Sequence, residues 1–166
     1  MKVKVKSRQF APIVSQLGFS FIELLFVIAI IATISSLGFA AFSRFGNTQT
    51  VKIAAGEVST LLQSAKSQAL SQVKPSQCLN QTLEGYQVAI SIPSSVYTRD
   101  VLCGGKTYTI ESKKLPANVS FTANSSLQIG FAVVSGAVSS PGTIILNGYG
   151  QVQTITVNKN GTIVVQ

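Results

Sequence analysis

The chain has 166 residues, a length typical of one domain, and its 13 Lys and Arg against 5 Asp and Glu give a formal net charge of +8. Only 11% of its residues are charged and 46% are hydrophobic, which excludes a highly charged disordered chain. Because the chain has no His, catalytic triads and zinc sites that need imidazole are excluded. Five dispersed acids also argue against paired-carboxylate catalysis and against a calcium cage, so we expect no metal and no cofactor.

A basic leader occupies residues 1–18. Lys2, Lys4, Lys6 and Arg8 precede every acid, and the rest of the chain holds 9 basic and 5 acidic residues, a difference of +4. Basic segments next to apolar runs stay in the cytoplasm, which predicts a cytoplasmic N-terminus with the bulk of the chain outside. The mildly basic remainder argues against a dedicated nucleic-acid groove.

An uncharged apolar run follows, from Leu24 to Phe42, and has 19 residues. As a helix it would span roughly 28 Å, close to the hydrocarbon thickness of a bilayer, so residues 19–43 are predicted to form a transmembrane helix. A secretory signal peptide cut after Gly38-Phe39-Ala40 and an uncleaved signal anchor are the alternatives. Both leave Glu23 unexplained, since an ionised acid at the mouth of a membrane helix costs ~1–3 kcal/mol.

The residues from Leu17 to Leu25, LGFSFIELL, resemble the type III signal of type IV pilins and type II secretion pseudopilins. The resemblance implies that a prepilin peptidase cuts after Gly18 and N-methylates the new N-terminal residue, Phe19. Glu23 matches the acid that follows four positions beyond the cut. It further implies assembly with other pilin or pseudopilin subunits on a platform in the inner membrane.

Cleavage would create a free amine on Phe19 with a pKa near ~7.7–8, which would give Glu23 a cationic partner. In a bundle of such helices, Glu23 of one subunit can meet the amine of a neighbour, so that subunits join at one axial register. Stranding one charge of a buried pair costs roughly 3–5 kcal/mol. The alternative for Glu23 is a side chain that reaches to the membrane interface.

The helix is predicted to continue from about Phe19 to about Gln72. Apolar residues between Val51 and Ala69 recur at helical spacing, and Lys74-Pro75 is a stop signal. The first half of this helix would cross the membrane or pack in a filament core, and its second half would lie on a globular head.

After Pro75 the sequence becomes rich in Val, Ile, Thr and aromatic residues, with turn signals at 103–106, 147–150 and 158–161. This pattern predicts an α+β, pilin-like fold in which the helix packs on an antiparallel sheet, with residues 44–166 as one domain and the last three strands as a meander. Eight candidate strands are present, at Tyr86–Ile92, Val96–Leu102, Thr107–Glu111, Val119–Thr122, Leu127–Val134, Thr143–Leu146, Val152–Val157 and Thr162–Val165.

The head also resembles the GspH/FimT-type minor pseudopilins, through the helix segment 61–70, Phe131-x4-Gly136 before Gly142-Thr143-Ile144, and the Val157–Gly161 hairpin. The resemblance implies a structural subunit, not an enzyme, that starts or caps a filament of type II secretion or of a type IV pilus. Some relatives bind DNA for uptake through arginines near this hairpin. Here the hairpin has only Lys159, so DNA binding on the same scaffold is the weaker alternative.

Cys78 and Cys103 both lie on the predicted outer side, in the periplasm or at the cell surface. An even number of cysteines in an oxidising compartment favours a disulfide, and two buried free thiols are the alternative. A bridge would tie the segment after the helix to the Gly104-Gly105 turn. A secreted enzyme remains the third hypothesis, without recognisable catalytic groups to support it.

Overall fold

The computed structural model describes residues 18–139 and 141–166, and for residues 36–41 it describes the backbone alone. The chain divides into two compact units, one that ends at Ala41 and one that runs from Phe42 to Gln166. The basic leader, apart from Gly18, lies outside the described residues.

One long helix, α1, runs from Phe21 to Leu70, within two residues of the predicted ends. It ends because Gln72 adopts a left-handed conformation (φ 50°). The amide of Gln72 then donates to the Ala69 carbonyl oxygen at 3.3 Å, and the amide of Val73 donates to the Gln68 carbonyl oxygen at 3.2 Å. This pair of hydrogen bonds is typical of a Schellman motif. Within the described part of the chain, no helix combines the length and the hydropathy that crossing a membrane requires.

In the described part of the chain, a 3₁₀ turn at Ser76–Cys78 and eight strands follow the helix. The strands are β1 Leu83–Ser91, β2 Val96–Cys103, β3 Lys106–Lys114, β4 Val119–Phe121, β5 Gln128–Ala132, β6 Gly142–Gly148, β7 Gln151–Val157 and β8 Ile163–Val165. Each corresponds to a predicted strand, and the predicted α+β class with antiparallel pairing is confirmed.

The strands form two sheets, a division that the sequence pattern did not reveal. The first sheet has the order β3-β2-β1-β5 and the second has the order β4-β6-β7-β8. Residues 115–118, which include Pro116, separate β3 from β4, and β4 then pairs with β6 in place of β3. The predicted meander of the last three strands is confirmed as β6-β7-β8.

The core lies where one face of α1 and the inner faces of both sheets meet. The helix residues predicted to be apolar at helical spacing are buried, and they form one continuous cluster with the strand residues. The cluster comprises Val51, Ala54, Ala55, Val58, Leu61, Leu62, Ala65 and Ala69 of the helix and, among the strands, Tyr86, Val88, Tyr97, Val101, Ile129, Phe131, Ile144, Leu146, Ile155 and Val157.

Two glycines allow the loops of the head to approach the end of the helix. Gly136 has a positive φ of 60°, and a Cβ atom there would lie 2.9 Å from a methyl carbon of Leu70. Gly161, with φ 70°, would place a Cβ atom 2.8 Å from the Gly136 carbonyl oxygen. Lys66 donates to the Gly161 carbonyl oxygen at 2.9 Å, so both loops are held against the same stretch of helix.

The expected disulfide joins Cys78 to Cys103, with the two Cα atoms 5.7 Å apart and both residues fully buried. The bridge fastens the segment that leaves α1 to the end of β2. Next to it, the amide of Gly104 donates to the Thr82 carbonyl oxygen at 3.1 Å.

Replacing both Cys78 and Cys103 by Ala is expected to lower the free energy of unfolding by roughly 3 kcal/mol, because a loop with a sequence separation of 25 would no longer be closed in the unfolded chain. Urea unfolding of the full-length protein with and without reductant measures this difference. The double variant should not respond to reductant. An unchanged midpoint for the variant would contradict a stabilising role of the bridge.

Candidate functional site

The first part of α1 exposes apolar side chains on every side. We call residues 18–35 the stem, and every one of them is exposed. From Leu24 to Ile28, five consecutive apolar residues have exposed fractions of 47% to 67%. Successive residues of a helix are rotated by about 100°, so these five alone cover the full circumference. Apolar surface of this kind is typical of a segment that is covered by lipid or by other helices.

The stem begins with a polar cap that the sequence reasoning missed. Ser20 lies just before the helix, and its Oγ accepts a hydrogen bond from the Glu23 amide at 3.3 Å. The Ser-x-x-Glu spacing is the signature of a capping box and could have been found in the sequence. The position also places the Glu23 carboxylate at the positive end of the helix dipole. Glu23 therefore has a local role at the helix terminus in addition to the predicted one between subunits.

The predicted cleavage site lies outside the helix. Gly18 and Phe19 precede the first helical residue, belong to no regular secondary structure, and are exposed, with Phe19 at 81%. In the intact chain the nitrogen of Phe19 is a peptide nitrogen and carries no charge. The pairing of Glu23 with an amine thus stays a prediction that depends on cleavage.

On the head, the two cations Arg99 and Lys113 share one acid. Arg99 is 3.0 Å and Lys113 is 3.1 Å from the carboxylate oxygens of Glu111. Arg99 also donates to the Ser64 hydroxyl of α1. These contacts direct Arg99 into the junction between α1 and the first sheet, and its side chain is only 13% exposed.

The head has further cations at Lys106, Lys114 and Lys159, which do not share one segment. Lys106 and Lys114 stand at opposite ends of β3, about 27 Å apart for eight strand steps. Lys159 lies in the hairpin between β7 and β8 of the other sheet. A binding site for several phosphates needs cations that converge, which this placement does not provide.

A second polar contact links α1 to the first sheet. The hydroxyl of buried Tyr97 donates to the Glu57 carboxylate at 3.2 Å. Burial, followed by the negative charge and the hydrogen bond of Glu57, raises the pKa of Tyr97 to about 12. The described residues contain no group of three His, Cys, Asp or Glu side chains that could hold a metal ion.

The chain matches a known family. The model of the family described as type II transport protein GspH matches residues 54–161, which covers the last third of α1 and nearly all of the strands. The chain belongs to this family. No curated protein and no solved structure gives a significant match to the chain.

The raised pKa of Tyr97 predicts a loss of stability in strongly alkaline solution. In the unfolded chain the phenol loses its proton near pH ~10, whereas in the folded chain it keeps the proton until about pH 12. The stabilising contribution is therefore complete below pH ~10 and is lost as the pH rises towards the folded pKa.

The Tyr97→Phe variant should lack this component of the pH dependence. Urea midpoints measured at several pH values between about 9 and 12 compare it with the wild type. Tyr149→Phe is the matched control, since it removes an exposed phenol and leaves Tyr97 in place. If the urea midpoints of Tyr97→Phe and of the wild type fell in parallel with pH, the loss of stability could not be assigned to Tyr97.

Proposed function

We propose that this member of the GspH family is a structural pseudopilin subunit that assembles through its stem into the pseudopilus of a type II secretion system or into a related type IV pilus. The observation that carries the proposal is the stem, a helix that is apolar and exposed on all sides. Assembly into a filament, with an inner-membrane reservoir of free subunits, supplies the cover that such a helix needs.

The stem requires an apolar environment both in the free subunit and in the filament. Burial of apolar surface contributes about 25 cal/mol per Å², so leaving eleven large apolar side chains in water would be strongly unfavourable. Lipid covers them in the free subunit, and the stems of neighbouring subunits replace the lipid in the filament. These eleven residues are Phe19, Phe21, Ile22, Leu24, Leu25, Phe26, Val27, Ile28, Ile30, Ile31 and Ile34.

Processing at Gly18 prepares the stem for assembly. Cleavage places an amine on Phe19, one residue before the Ser20 cap, where the positive end of the helix dipole disfavours a second positive charge. A carboxylate at this end offsets both positive charges. Glu23 of the same subunit or of a neighbour supplies it, and N-methylation of Phe19 retains the charge that the pairing needs.

The proposed partners are other pilins or pseudopilins, the prepilin peptidase and an inner-membrane assembly platform. The family match supports type II secretion as the system. The head would lie in the periplasm, which is an oxidising compartment and suits the disulfide between Cys78 and Cys103. Co-purification of the full-length protein from its native membrane would identify the accompanying subunits.

Mature protein extracted from membranes is expected to begin at N-methylated Phe19. Intact-mass measurement together with N-terminal sequencing tests this, and a Gly18→Leu variant provides the uncleaved reference. A mature chain that starts at Met1 or at Ala41 would overturn the pilin-like processing.

The Glu23→Val variant should remain in the membrane but enter filaments at least tenfold less well than the wild type, because it strands the amine of a partner subunit. Quantitative blotting of sheared filaments against the membrane pool measures incorporation. Glu23→Gln, which keeps the size of the side chain, should fail in the same way.

The Ser20→Ala variant separates the two roles of Glu23. It removes the hydrogen bond that caps the helix, at a cost of ~1 kcal/mol, and leaves the carboxylate in place. We expect it to assemble at close to the wild-type level. If Ser20→Ala failed as severely as Glu23→Val, the defect would lie in the helix terminus, and a register role for the charge would be wrong.

A further inference from the structure

A polar pocket of about 430 Å³ lies on the head. It is formed between residues 44–48 of α1 and the hairpin that joins β6 to β7. Two segments that are distant in sequence build it, one from α1 and one from the second sheet. Its lining consists of Arg44, Asn47, Thr48, Tyr149 and Gln151. None of these residues belongs to the core or to the contacts between α1 and the first sheet.

Three side chains of this pocket, those of Arg44, Asn47 and Gln151, keep their N–H donors unpaired within the described residues. Thr48 donates to the carbonyl oxygen of Arg44 at 3.1 Å, which leaves its own oxygen free to accept. Among the described residues, the side chains of Arg44, Asn47 and Gln151 have no ion pair with an acid and no hydrogen bond to another residue. A guanidinium and two amides therefore remain available to a ligand.

Among the described residues, the only charged one that lines the pocket is a cation, Arg44, and a cation attracts an anion. Four acids belong to the unit from Phe42 onwards, and none of them lines it. On α1 the first acid beyond Arg44 is Glu57, thirteen positions and about 20 Å further along the helix. The planar fork of Arg44 is suited to two oxygens of one phosphate group, and primary amides donate to and accept from hydroxyl groups.

Tyr149 occupies its place in the pocket at a conformational cost. It has a φ of 51°, in the left-handed region that favours glycine, and Gly150 follows it in the same region at 72°. The Tyr149 hydroxyl accepts from the Asn118 amide at 3.3 Å and lies 3.5 Å from the Ala117 carbonyl oxygen. The side chain is thus fixed, although a glycine or asparagine would satisfy the turn with less strain.

The position of the pocket along the chain indicates the source of the phosphate. Arg44 follows the uncharged run Leu24–Phe42 by two positions, or about 3 Å of helix. A membrane helix that ends at Phe42 brings the next residues to the level of the lipid headgroups, where Tyr side chains are also enriched. Phosphodiester groups are the abundant anions at this level.

We propose that this pocket binds the headgroup of an anionic phospholipid that carries hydroxyl groups, as phosphatidylglycerol does. Arg44 binds the phosphodiester, and Asn47 and Gln151 bind the headgroup hydroxyls. The inference rests on the proposed function, because it requires the stem to be in a membrane. The headgroup would hold the free subunit at a fixed depth until its stem leaves the lipid for the filament.

Titration of the full-length protein, in an uncharged detergent, with soluble short-chain phosphatidylglycerol tests the proposal. Calorimetry gives the affinity and native mass spectrometry gives the number of lipids bound, which should be one. Arg44→Gln is expected to weaken binding about tenfold, the effect of one lost charge-assisted hydrogen-bond pair. Phosphatidylcholine of the same chain length should bind more weakly than phosphatidylglycerol.

The matched control is Lys52→Gln, which removes one positive charge from an exposed position of the same helix, two turns further on. It should leave the affinity within twofold of the wild type, and unchanged thermal melting should accompany both variants. Equal binding by Arg44→Gln and the wild type would overturn the proposal, and so would an equal loss in Lys52→Gln. Binding of glycerol phosphate as tightly as the lipid would overturn the lipid as the source.

Failure of the proposed function would have a different result. A mature chain that begins at Met1, or one that never enters a filament, refutes the pseudopilin role. It does not change the difference in lipid affinity between the wild type and Arg44→Gln. Loss of lipid binding in the wild type, with normal processing and assembly, refutes only the headgroup site.

Discussion

The protein depends on one constraint, which is that a helix with apolar side chains on all sides must be covered. Residues 18–35 expose such a surface, and no described part of their own chain packs over it. In the second half of the same helix, the apolar surface is confined mainly to one face. Between Val51 and Ala69 eight apolar residues lie on one face that is buried against two sheets, while Ile53 points outwards and is exposed. A single helix thus has one face of its second half buried within the chain and its first half exposed.

The head holds the second half of the helix through several independent contacts. The end of α1 is held by a Schellman motif, by loops that approach closely at Gly136 and Gly161, and by the disulfide at Cys78. Along the first sheet, Tyr97 and Arg99 reach the helix through Glu57 and Ser64. These contacts use polar groups in a partly buried seam, where the geometry of each hydrogen bond fixes the position of the helix more closely than apolar packing alone.

Most of this architecture could be predicted from local pattern. The helix and all eight strands were recognisable because apolar spacing and turn residues act over a few positions. The division into two sheets was not, because the partner of Val119–Phe121 is β6, more than twenty residues later, and local pattern carries no information about that choice. The sharing of Glu111 by Arg99 and Lys113 depends on the register of β2 and β3, which includes a bulge at Arg99, and was equally hidden.

At the stem, the sequence revealed the chemistry but not all of its local context. Gly18, Phe19 and Glu23 form a motif whose proposed meaning depends on cleavage between Gly18 and Phe19, and the intact chain shows only where that bond lies. The Ser20 cap shows that Glu23 is placed at a helix terminus before any partner arrives.

In the proposed function, cleavage removes the basic leader and creates a new positive charge at the end of the stem. The four cations of the leader orient the chain in the membrane and are then removed, and a single amine appears at the end of the stem. That amine lies next to a positive helix terminus and is poorly solvated if it is buried, so it favours contact with a carboxylate. The stem has only one, Glu23. A subunit that has lost its leader is therefore driven to the one axial position in which its amine and a carboxylate coincide, and the same step that ends membrane targeting begins assembly.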